Sequence, residues 1–213
     1  MSSIFYRKKP IIGLDISRTS IKIMSIDKTR MLVHGYGSIN LDSQQNDGNS
    51  NDNVEYLAQN IKELLKNNIV GQIDSNRVAI GIPTSRTFSR TFTLPMKEEA
   101  NIISAVNLEV EQYIPAPLDS LYVDYRIINR SKDELSVLMC AAPKKMIDSM
   151  LDAAQRCGLE VAAIEPNINA ISRLLKKTEE GMLPTVIVDI GTSATDIAIL
   201  DLSLIHISEP TRR

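Results

Sequence analysis

The chain has 213 residues and a mass of 23.7 kDa, 43% of it hydrophobic, enough for one large domain or two small ones with a buried core. Its 24 Lys and Arg against 26 Asp and Glu leave a net charge of −2, without the basic excess that phosphate-backbone binding demands. Two cysteines (Cys140 and Cys157), no CxxC and two histidines exclude a disulfide framework and a zinc cluster, and the cysteine usage reads as cytosolic.

Arg7-Lys8-Lys9 is basic, but the apolar run after Pro10 is cut by Asp15 and Arg18, so no secretory leader is expected. No run reaches the roughly 20 apolar residues that cross a bilayer. Residues 11–17 read as a β-branched strand, 20–27 alternate apolar and polar, and 31–40 carry a third strand pattern. Residues 42–53 hold only Ser, Gln, Asn, Asp and Gly, the composition of a solvated loop. Asp52 with Glu55 resembles a capping box before a helix whose apolar stripe is Val54, Leu57, Ile61, Leu64 and Leu65. Residues 77–82 form a strand ended by Pro83, and the β-β-β-α-β order implies a mixed sheet.

A second pattern occupies residues 84–159. It has a strand over 87–94, a helix opened by Pro95 with Ile103, Val106, Val110 and Tyr113 on one face, strands over 122–129 and 135–141, and a helix over 144–157 stopped by Gly158. The strand at 161–164 resumes the first pattern, so 84–159 reads as an inserted block. A helix over 167–177 and a break at Gly181 and Pro184 follow.

The segment Pro10-Ile11-Ile12-Gly13-Leu14-Asp15-Ile16-Ser17-Arg18-Thr19-Ser20-Ile21-Lys22 shares its grammar with Pro184-Thr185-Val186-Ile187-Val188-Asp189-Ile190-Gly191-Thr192-Ser193-Ala194-Thr195-Asp196. Each is an apolar strand, an Asp, one apolar residue, a small residue and a hydroxyl-rich turn. Such an internal repeat implies two similar domains. Asp, Gly, Ser and Thr also dominate ordinary hairpin turns; two copies in matching strand contexts favour a functional origin. A turn of this kind directs backbone N–H groups and hydroxyls into a concavity that suits phosphate. Asp15 and Asp189 are placed to hold hydrated magnesium, and Lys22 to meet a phosphate as a point charge.

The two motifs resemble the phosphate signatures of the actin, sugar-kinase and heat-shock ATPase superfamily, and the inserted block resembles the domain of its cell-division and pilus-assembly branch. Leu94-Pro95, Ala105-Val106, Glu109-Val110-Glu111-Gln112-Tyr113-Ile114-Pro115, Val123-Asp124-Tyr125 and Cys140-Ala141-Ala142-Pro143-Lys144 are similar to the PilM family of actin-like type IV pilus proteins. The likeness runs from about Lys9 to Asp201. It implies an α/β actin-like (ribonuclease H-like) mixed sheet. The first domain would be 1–83 and 160–180, the inserted pilus or cell-division subdomain 84–159, and the start of a second actin-like domain 184–201.

The resemblance also implies a cytoplasmic assembly platform recruited to the inner face of the membrane. It would bind ATP and Mg2+ between two domains with at most weak ATPase activity, and would bind the N-terminal cytoplasmic peptide of the membrane protein PilN and other inner-membrane pilus components, with oligomers compatible with that role. The cofactor-binding set would be Asp15, Ser17, Arg18, Thr19, Ser20, Lys22, Asp189, Gly191, Thr192 and Ser193, with Asp15 and Asp189 reaching the metal through water and no catalytic residue. A small-molecule kinase of the superfamily and a cell-division actin-like protein are the alternatives. At Ser17 the family commonly has Gly, which would let the backbone approach phosphate at positive φ. Residues 202–213, beginning Leu202-Ser203-Leu204-Ile205-His206, resemble a translated sequencing adapter, so the second domain is expected to stop after its first hairpin, with an artefactual tail beyond it.

Overall fold

The computed structural model describes residues 10–27, 29–46, 51–178, 185–192, 194–201 and 204–211. Arg7-Lys8-Lys9, Gly181, Pro184 and Ser193 lie outside the described residues. The elements are β1 (Ile11–Ile16), β2 (Ser20–Asp27), β3 (Leu32–Asn40), α1 (Asn51–Asn67), β4 (Ile69–Gly71) and β5 (Arg77–Ile82). They continue with β6 (Phe88–Pro95), α2 (Ile102–Tyr113), β7 (Leu121–Arg130), β8 (Glu134–Pro143), α3 (Lys144–Arg156) and β9 (Glu160–Pro166). The last are α4 (Asn167–Thr178), β10 (Thr185–Ile190), β11 (Thr195–Asp201) and β12 (Leu204–Thr211). The chain forms two compact units, Met1–Ile82 with Asp148–Glu165 and Pro83–Ile147 with Pro166–Arg213. These differ from the expected segments: α4 falls in the unit that holds β10 and β11, and most of α3 in the unit that holds β1.

The first unit is a six-stranded mixed sheet in the order β4-β3-β2-β1-β5-β9. β1 runs antiparallel to β2 and parallel to β5. Strand alternation separates the two faces. Ile12, Leu14 and Ile16 of β1, Ile21 and Ile23 of β2, and Val78, Ile80 and Ile82 of β5 are buried. Gly13, Asp15, Lys22 and Met24 take the opposite face. α1 lies along β2, β3 and β4, and its helical repeat of Leu57, Ile61 and Leu64 is fully buried, each such side chain contributing about 1.5–3 kcal/mol.

α1 begins at Asn51, one residue before Asp52 of the expected capping box, and Glu55 accepts a bond from Arg156 Nη1 at 2.9 Å. Residues after α1 pass so close to β3 that a Cβ on Gly37 would collide with the Asn68 carbonyl. β4, too short to announce itself in the sequence, pairs there through Gly37 and Ile69. α3 ends as expected at Gly158. Its φ of +73° permits the paired bonds Gly158 N–H to Gln155 O (2.9 Å) and Leu159 N–H to Ala154 O (3.1 Å).

The second unit contains the sheet β6-β8-β7 and the sheet β10-β11-β12. α2 covers the first with Ile102, Val106 and Val110, packed with Ile114 on Phe92, Leu135, Val137 and Met139. Of the expected stripe, Val106 and Val110 are buried, whereas Ile103 is 64% exposed and Tyr113 50% exposed, and Ile102, the first residue of α2 after a turn of 3-10 helix over Met96–Asn101, takes the inward place instead of Ile103. α4 packs on the other sheet through Ile168, with Ile187 and Ala198 buried beneath it. The hairpin expectation is extended there, since β12 pairs antiparallel with β11.

Candidate functional site

Around the β1–β2 turn, hydrogen bonding is dense. Ser17 N–H donates to Ser20 O at 2.9 Å, and Ser20 N–H donates to Ser17 Oγ at 3.0 Å. Ser17 Oγ also lies 3.0 Å from Ser20 O and 3.0 Å from Ser20 Oγ. The hydroxyl therefore serves the turn itself. Met31 is the only non-glycine with positive φ among the described residues, so Ser17 holds its place without the backbone freedom of Gly. Arg18 is exposed, and Thr19 and Ser20 are half-buried. Asp15 and Lys22 are cross-strand partners, with Lys22 Nζ 3.9 Å from Asp15 Oδ2. At that exposure the pair adds about 0–1 kcal/mol, leaving Lys22 available to another anion.

The β10–β11 turn repeats this register: Asp189 faces Asp196 across the strands, as Asp15 faces Lys22. Gly191 N–H donates to Ala194 O at 2.9 Å. A Cβ on Gly191 would meet that same oxygen at 3.0 Å, so the tight turn accounts for the glycine without any positive φ. Gly191 and Thr192 are exposed.

Charge separates the two hairpins. Where the first pairs unlike charges, the second sets two carboxylates opposite one another. Burial pushes the Asp196 carboxyl up, a hydrogen bond from Thr84 opposes this, and the Asp189 charge adds to it. Asp196 Oδ1 is shielded from solvent with no hydrogen-bond partner among the described residues. Facing carboxylates with an unsatisfied oxygen suit a cation. Among the described residues no three acidic, His or Cys side chains come together as a direct metal cage.

Sequence reasoning missed Asp196, although it ends the second repeat at the position equivalent to Lys22. It also missed Asn46, which lies in the loop after β3 and donates to the turn carbonyls of Ser17 and Arg18. Tyr113, expected to pack inward, carries the Arg90 guanidinium 3.4 Å from its ring centroid, whereas Ile114 is buried. Burial raises both cysteine thiols, and Cys157 Sγ donates to Ala58 O at 3.3 Å, consistent with packing roles.

A mixed sheet opened by a three-strand meander, together with paired Asp-turn hairpins, defines a protein of the actin-like ATPase fold. Three solved structures share that fold. The chain matches a PilM-PilN type IV pilus biogenesis complex with a TM-score of 0.79 at 19% identity, covering 94% of this chain and 62% of that one. It matches the cytoplasmic domain of EpsL, an inner membrane component of the type II secretion system of Vibrio cholerae, with a TM-score of 0.62 at 11% identity, covering 93% and 71%. A Bacteroides thetaiotaomicron protein with an actin-like ATPase fold and unknown function matches with a TM-score of 0.56 at 12% identity, covering 95% and 70%.

At the level of sequence, the type IV pilus assembly protein PilM family matches residues 13–207. The chain belongs to that family. The match extends into the segment whose sequence resembles an adapter. No helix among the described residues is long and apolar enough to cross a membrane.

Proposed function

We propose that this chain binds ATP with Mg2+ and serves as a cytoplasmic assembly platform of a type IV pilus machine, holding the N-terminal peptide of PilN. The observation that carries the nucleotide reading is the shared register of two hairpins, each with an Asp at the end of its first strand and a polar turn beyond it. Magnesium would neutralise phosphate charge, held through water by Asp15 and Asp189 with Asp196 beside the latter. Lys22 offers a point charge, and the turn formed by Ser17, Arg18, Thr19 and Ser20 offers a backbone donor at Arg18. Gly191, Thr192 and Ser193 would form the equivalent phosphate turn of the second hairpin. No residue is assigned to bond cleavage. The pilus role and the PilN partner rest on family membership and on the partner that the matched complex contains.

Calorimetric titration with Mg-ATP tests the nucleotide reading. Asp15→Ala, Asp189→Ala and Lys22→Ala should each weaken binding by about tenfold, the worth of one charge-assisted contact. Unchanged affinity in all three variants refutes the assignment. A synthetic peptide of the PilN cytoplasmic start, titrated into the same protein, tests the partner, and absence of binding with and without ATP overturns it.

A further inference from the structure

Asn46 closes a loop whose composition looks like solvated chain, yet only 4% of its surface is exposed. Its Nδ2 donates to Ser17 O at 2.9 Å and to Arg18 O at 3.0 Å. From the same side, Leu41 N–H donates to Thr19 O at 2.8 Å. Three consecutive carbonyls of the β1–β2 turn are thus gripped by the segment after β3. That segment is itself braced, with Asp42 N–H bonded to Tyr56 Oη at 2.7 Å and Asn46 N–H to Asp42 O at 3.0 Å.

In a trans peptide unit the C=O and the following N–H point in opposite directions, and the peptide units here are trans. Bonding of Ser17 O to Asn46 therefore aims the Arg18 N–H away from Asn46. Bonding of Arg18 O does the same for the next peptide unit. The Ser20 N–H is consumed by Ser17 Oγ, whereas the Arg18 N–H has no hydrogen-bond partner among the described residues.

We propose that Asn46 is a positioning residue for phosphate recognition, orienting the Arg18 peptide so that its N–H is presented to an anion. This rests on the nucleotide reading above and adds to it the group that sets the turn. A single carboxamide bridging two successive carbonyls leaves the turn one choice of peptide orientation. Without it, each plane is free to flip and to offer an oxygen to the phosphate instead.

The test is a nitrogen-15 NMR titration of the full chain with Mg-ATP and, separately, with inorganic pyrophosphate, on wild type, Asn46→Ala and Asn46→Asp, with a melting curve for each. In wild type the Arg18 amide should shift and saturate with the ligand. Both variants should bind about tenfold more weakly or worse, with the Arg18 response lost. A merely structural role would lower the melting midpoint and leave the Arg18 response at saturation unchanged, and that result overturns the proposal. So does a wild-type Arg18 amide that stays still while ligand binds, which decides the matter even if the variants fail to fold. Pyrophosphate moving Arg18 through Asn46 without any ATP binding would sink the nucleotide reading and keep the positioning role. Binding of neither ligand to wild type would sink both.

Discussion

Ser17 gives the sharpest test of how the first turn works. The family likeness alone suggests that Ser17→Gly should tighten nucleotide binding by freeing the backbone. The geometry predicts the opposite, because the hydroxyl accepts the Ser20 N–H and bonds back to Ser20, each at 3.0 Å. Ser17→Ala removes these interactions and leaves the Ser20 N–H without its acceptor. The turn is only part-buried and water can partly substitute, so the net loss is about 1–2 kcal/mol. Ser17→Gly loses the same bonds and adds roughly 0.5–1 kcal/mol of backbone entropy.

Thermal unfolding followed by circular dichroism should place the midpoints in the order wild type, Ala, Gly, with about 2–8 °C lost per kcal/mol depending on the size of the cooperative unit. Nucleotide affinity measured on the same samples should fall in the same order. If Ser17→Ala changes stability by less than the roughly 0.5 kcal/mol of an inconsequential surface change, or if Ser17→Gly binds more tightly, the hydroxyl does not hold this turn.

Three further substitutions probe the packing and charge around the two sheets. Gly37→Ala should cost about 1–3 kcal/mol in urea unfolding, since its Cβ would press on the Asn68 carbonyl. Gly13→Ala, whose nearest neighbour would be the Met24 carbonyl at 3.9 Å, should be tolerated, and equal stability of the two would refute the close approach. Asp196→Asn should raise the melting midpoint at neutral pH. The folded-state affinity of Asp196 for its proton lies above the unfolded value of 3.8, so its ionisation costs stability as pH rises through that window. The gain should shrink as pH falls towards the ordinary carboxylate range. A gain independent of pH, or none, would show that Asp196 ionises without penalty.

Local pattern carried most of the elements. The alternation along β2 and the β-branched, apolar run of β1 announced those strands, because a half-buried strand needs only its own period of two to declare itself. The stripe of α1 and the stop at Gly158 were equally legible, one a helical period and the other a positive φ that glycine accepts. The repeat of the Asp-turn hairpins could be read at a distance because each copy is a local unit, and both carry the same register.

Tertiary structure decided what depends on segments remote in sequence. β4 exists because the chain leaving α1 meets Gly35 and Gly37 of β3. Ile114, rather than Tyr113, turns inward because the chain leaves α2 there in an extended conformation and packs on Phe92, Leu135, Val137 and Met139. Asn46 and Asp196 carried no periodic signal. Asn46 acquires its meaning only from two carbonyls in the β1–β2 turn, and Asp196 from the carboxylate across its hairpin and from Thr84. A polar side chain takes its role from the partner that satisfies it, and the fold alone determines which partner comes within reach.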